Sequence, residues 1–119
     1  SATFPVYGVV AAGPAIEAIP TDETADLGEL LGGADHYALR VKGDSMIEDH
    51  ISDGDLVIIK PQSTASNGER VVAMIDGAVT LKKFYHRKDR IILEPSNSTM
   101  APIIVGPDAD IKILGKLVG

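Results

Sequence analysis

The dipeptide Asp76-Gly77 stands between two runs of β-type residues, Arg70–Ile75 and Ala78–His86. It is the strongest short-range hairpin signal, because both turn positions need positive φ and these residues tolerate it. A two-residue loop dictates the pairing: Ile75 opposite Ala78, Ala73 opposite Thr80, Val71 opposite Lys82. Side chains alternate along a strand. One face of the hairpin therefore carries Val71, Ala73, Ile75, Ala78, Thr80, Lys82 and Phe84. The other carries Val72, Met74, Val79, Leu81, Lys83 and Tyr85. Both faces are largely apolar, so both need a cover.

Further short, β-branched runs are bounded by Gly, Pro, Asn and Asp: Phe4–Val10, Tyr37–Lys42, Asp55–Lys60, Arg90–Glu94 and Ile111–Val118. They read as strands. A weak helical signal covers Ala25–Leu31, and a helical turn can start at Asp44–Ser45 and run to about Asp49. The expected fold is all-β: compact twisted sheets or a partly open barrel of short, mostly antiparallel strands with at most short helical turns. A length of 119 residues with 45% hydrophobic content suits one domain with its own core. Residues 1–35, rich in Gly, Ala, Pro and acids, form a connecting segment of that domain, and residues 36–119 form its core.

The absence of cysteine excludes a disulfide scaffold, a thiol nucleophile and a Cys-ligated zinc site. It also suits a reducing compartment, and a cytoplasmic location is expected. No apolar run approaches the roughly 18 residues of a membrane span. The start, SATFPVYG, lacks the basic and apolar regions of a signal peptide; since it opens on Ser1, a processed fragment is expected. A formal net charge of -6 disfavours binding of a phosphate backbone by this domain alone.

Chemistry centres on Val41-Lys42-Gly43-Asp44-Ser45-Met46. A strand ends at Lys42, Gly43 permits a bend, and Ser45 follows where backbone N–H groups are unpaired. Two roles fit: Asp44 or Ser45 caps a helical turn, or Ser45 is a nucleophile beside an oxyanion hole. The spacing is not Gly-x-Ser-x-Gly, since Ile47 stands at the last position. His36, His50 and His86 show no catalytic spacing. A lysine can serve as base if burial keeps it neutral. Lys82 has small neighbours on its face, which leaves room for something to lie over it, but periodicity alone does not decide whether Lys82 or Lys83 is buried. Asp53-Gly54-Asp55 reads as a turn, and no ligand spacing for a metal or Gly-rich phosphate loop is present. No cofactor is expected.

Taken in order, Arg40-Val-Lys-Gly-Asp-Ser-Met46, Ile51-Ser-Asp-Gly-Asp55, Asn67-Gly, Val79-Thr-Leu-Lys82 and Leu93-Glu-Pro-Ser-Asn97 resemble the C-terminal domain of the LexA repressor family. That family of self-cleaving Ser/Lys peptidases also includes UmuD and phage repressors. Upstream, Val9-Val-Ala-Ala-Gly13 resembles its cleavage segment. The resemblance runs from about Pro5 to Val118.

The resemblance implies roles residue by residue. Ser45 matches the nucleophile and Lys82 the general base. Ala12 and Gly13 flank the bond that is cut. The backbone N–H groups of Asp44 and Ser45 suit the oxyanion hole, and the Thr80 hydroxyl, two residues from Lys82, can orient its amine. The family represses DNA-damage genes, dimerises through this domain, and cleaves itself when a RecA filament on single-stranded DNA favours docking of the cleavage segment. A DNA-binding domain is expected upstream of this chain, so DNA would be met only through it. A UmuD-like subunit, a phage repressor and a non-catalytic all-β dimerisation module are the competing readings. Signal peptidases share a related dyad but require a membrane anchor. Without the resemblance, Val-Ala-Ala-Gly-Pro reads as an ordinary flexible loop.

Overall fold

The computed structural model describes residues 6–11 and 36–118. The hairpin around Asp76-Gly77 is its frame. β4 (Arg70–Ile75) and β5 (Ala78–Arg87) pair antiparallel with Ile75 opposite Ala78, Ala73 opposite Thr80 and Val71 opposite Lys82, the register expected from the turn. Asp76 and Gly77 have φ of 49° and 84°, which supplies the two positive values that a two-residue turn of this hand requires.

The remaining strands are β1 (Val6–Ala11), β2 (Tyr37–Lys42), β3 (Leu56–Pro61), β6 (Arg90–Glu94), β7 (Ile103–Val105) and β8 (Ile111–Leu117). One sheet has the order β1-β2-β3-β8-β4-β5-β6-β7. All neighbours are antiparallel except β1 and β2, which run parallel. The sheet rolls until β1 meets β5 at a single bridge, Ala11 opposite Thr80. The all-β, partly open barrel anticipated above is therefore the fold. One 3-10 turn, Ile47–Asp49, is shorter than the expected helical turn from Asp44. β7 was not among the expected strands; three residues after Pro102 are too few to show alternation. The Ala25–Leu31 helix, the Ala12–Gly13 bond and most of the 1–35 segment lie outside the described residues.

The two faces of the hairpin feed two cores. Val72, Val79 and Leu81 pack with Tyr37, Leu39, Val41, Met46 and Ile59. Val71, Ala73 and Phe84 pack with Leu93 and Val105. Burial on both sides explains why this hairpin is apolar on both faces instead of alternating. β8 fits between β3 and β4 by a bulge, with Leu114 the extra residue between the Val72–Gly115 and Ala73–Ile113 pairs. Gly115 permits a close approach there: a Cβ at this position would stand 2.5 Å from Ile59 Cγ2 and 2.8 Å from the Lys60 carbonyl oxygen.

Candidate active site

The serine sits in a bend tied down on two sides. β2 ends at Lys42, and Gly43 turns the chain with φ of 104°, a conformation open to glycine at little cost. The Gly43 N–H donates to Asp53 Oδ1 at 2.8 Å. On the opposite flank, Asn97 Nδ2 donates to the Asp44 carbonyl at 2.9 Å, and the Glu48 N–H donates to the Ser96 carbonyl at 2.8 Å. The Ser98 N–H closes the strap on Glu48 Oε2 at 2.7 Å and holds that carboxyl below the usual carboxylate range.

Ser45 is fully buried, at 0% exposure, and its hydroxyl has no hydrogen-bond partner among the described residues. It does not cap the turn that follows: Met46 occupies the capping position and no side chain bonds there. Among the described residues, the N–H groups of Asp44 and Ser45 have no acceptor. A buried hydroxyl without a partner is costly, and here it stands beside N–H groups that also lack an acceptor among the described residues.

Lys82 is the buried lysine of the pair, 2% exposed on β5. Its Nζ donates to Thr80 Oγ1 at 2.7 Å and to the Leu81 carbonyl at 3.3 Å. Burial pulls the Lys82 pKa down to about 8, because the core disfavours the charged form. Lys83 points the other way. Its side chain is 32% exposed and reaches Asp49 Oδ1 at 3.8 Å, while Arg70 meets the same carboxylate at 3.9 Å. Ser45 Oγ and Lys82 Nζ make no hydrogen bond to each other.

β1 links the strand before the serine's bend to the strand of the lysine. Its last residue, Ala11, pairs with Lys42 on β2 and with Thr80 on β5. Lys42 is three residues before Ser45, and Thr80 is two before Lys82. The chain leaving Ala11 thus starts between the serine's bend and the lysine's strand. His50 and His86 stay exposed, and His36 is half-buried. Among the described residues no group of three or more His, Cys, Asp or Glu is placed to hold a metal ion, and no helix is long and apolar enough to cross a membrane. Sequence reasoning missed Asn97 and Asp53 as supports of the bend. Asn97 acts across 53 positions, where no local pattern points to it.

Known proteins are similar to this chain over nearly its whole length. The chain is 49% identical over 121 residues to LexA repressor 1 of Geobacter sulfurreducens, covering 98% of this chain and 59% of that protein. It is 51% identical to the LexA repressor of Geotalea uraniireducens over 121 residues, 98% of this chain and 60% of the relative. It is 48% identical to the LexA repressor of Thermotoga maritima over 119 residues, again 98% and 60%. The chain thus spans about 60% of the length of these relatives. The family described as Peptidase S24-like matches residues 5–118. That match runs through all eight strands and through the buried Ser45, Thr80 and Lys82 of the bend and hairpin, and the chain belongs to the Peptidase S24-like family.

Proposed function

We propose that this chain is the catalytic part of a LexA-type transcriptional repressor and that it cuts its own Ala12–Gly13 bond with Ser45 and Lys82. The observation that carries the reading is the buried Lys82, its pKa lowered to about 8, on the strand where β1 ends opposite Thr80. Neutral Lys82 takes the Ser45 hydroxyl proton as Oγ attacks the Ala12 carbonyl carbon. The N–H groups of Asp44 and Ser45 hold the oxyanion. The C–N bond breaks, Lys82 returns the proton to the Gly13 amine, and water then hydrolyses the ester on Ser45. Thr80, which accepts from Nζ, orients the amine.

Ala11, Ala12 and Gly13 are small, which suits entry into a narrow cleft. Because the substrate is tethered, its effective concentration is high, and control must come from a population bias against docking. In this reading a RecA filament on single-stranded DNA relieves that bias. Residues 36–119 also supply the homodimer contact, residues 1–35 carry the cleavage segment, and DNA is bound by the part of the relatives that this chain does not cover. A repressor acting on DNA in this way works in the cytoplasm.

Incubation of the chain without partner tests the chemistry. With a base of pKa about 8, the neutral fraction and the cleavage rate rise about tenfold from pH 7 to pH 10. Mass spectrometry should find a new N-terminus at Gly13. Ser45→Ala and Lys82→Ala should each abolish the product, and a flat rate across that range or residual cleavage in either variant would refute the assignment.

A further inference from the structure

We propose that Asn97 is a positioning residue for self-cleavage: by holding the Asp44 carbonyl it aims the Ser45 N–H at the oxyanion. The inference rests on the Ser45–Lys82 reading above. The Asp44 carbonyl and the Ser45 N–H belong to one peptide unit. That unit is planar and trans, so its C=O and N–H point in opposite directions. Whatever fixes the carbonyl also fixes the line of the N–H. Asn97 Nδ2 does so at 2.9 Å.

Asn97 is itself held. Its Oδ1 accepts from the Thr99 N–H at 3.0 Å and from Thr99 Oγ1–H at 2.6 Å. Two donors on the oxygen determine which end of the carboxamide is nitrogen and turn that nitrogen toward Asp44. The other donor to the Asp44 carbonyl, the Ile47 N–H at 3.2 Å, belongs to the same bend. It shapes the bend locally but does not register it against the sheet. Asn97 does, because its loop leaves β6 directly after Glu94, and Glu94 pairs with Lys83 on β5. One side chain thereby ties the peptide that presents the nucleophile to the strand ladder that carries the base. Ser96 and Ser98 brace the same junction through Glu48. A bond acting through backbone orientation leaves the base untouched, so its loss lowers the rate without changing the pH at which Lys82 titrates.

The test is the alkaline self-cleavage rate of the chain carrying Asn97→Ala or Asn97→Asp, measured from pH 7 to pH 10. Asn97→Asp keeps the shape and the contacts to Thr99 but sets a carboxylate oxygen against the Asp44 carbonyl. Both variants should cleave about 10- to 100-fold more slowly at the plateau, with the midpoint of the pH profile unchanged. Urea unfolding, followed with Ser45→Ala added to prevent cleavage, should show both variants folded under the assay conditions. Glu69→Gln, which breaks a surface ion pair with Lys116, should cleave at the parent rate. Parent-like rates in both Asn97 variants, with Ser45→Ala and Lys82→Ala inactive, overturn this inference and leave the dyad standing. A shifted midpoint at constant plateau, or a loss no larger than the unfolded fraction explains, also overturns it. Cleavage by Ser45→Ala overturns the dyad, and this inference with it.

Discussion

Lys82→Met should make the protein more stable at neutral pH, and the gain should vanish in alkali. Methionine has nearly the length of the lysine stem and carries no charge, so it fits the same apolar space. In the folded chain Lys82 titrates near pH 8; in the unfolded chain its value is the ordinary 10.5. The folded-state pKa is the lower of the two. Between about pH 8 and 10.5 the unfolded chain therefore holds more protons, and stability rises with pH across that window. Below it, the folded protein carries a buried ammonium at a constant cost of about 3 kcal/mol, at 1.36 kcal/mol per unit. Loss of the bonds to Thr80 and Leu81 offsets about 1 kcal/mol of the gain. Urea unfolding at pH 6.5 should then place Lys82→Met about 2 kcal/mol above its parent, both with Ser45→Ala to prevent cleavage. Near pH 10.5 the variant should lose that advantage and fall to or below the parent. A stability difference that does not change between the two pH values would refute a neutralised, desolvated lysine at this position.

Two other substitutions test the packing around the site. Ser45→Ala should leave stability unchanged or raise it by up to about 1 kcal/mol in urea, because the hydroxyl is buried and has no partner among the described residues. Gly115→Ala should lower stability by about 2 kcal/mol or more, since its Cβ would meet Ile59 and the Lys60 carbonyl oxygen with no flexible group to move aside at the backbone; an unchanged urea midpoint would show that β8 can shift.

Local chemistry made part of this molecule legible. Asp76-Gly77 specified the β4–β5 register because a two-residue turn admits one pairing, and that pairing is the one observed. It did not distinguish Lys82 from Lys83, since the hairpin is covered on both faces. The choice is tertiary. Asp49, on the turn after Ser45, offers Lys83 a partly solvated carboxylate, whereas Lys82 lies among core residues and donates to Thr80. The bend at Gly43 was readable because glycine there permits φ of 104°. Its supports were not, because Asn97 and Asp53 reach it from distant loops by single side-chain bonds. β7 escaped for a different reason: its three residues gain their place from pairing with β6, with Leu93 opposite Ile103, and not from their own alternation.

The single bridge from Ala11 to Thr80 also orders events during folding. The β4–β5 hairpin closes over two residues, while β1 joins β2 about 32 positions away and β5 69 positions away. Contacts of such separation require closure of long loops, and they form after local ones have lowered that cost. The hairpin bearing Lys82 can form early, but β1 gains its full seat only once β2 and β5 stand on either side of it. A chain that folds in this order completes much of its core before the strand leading to the proposed cleavage segment arrives.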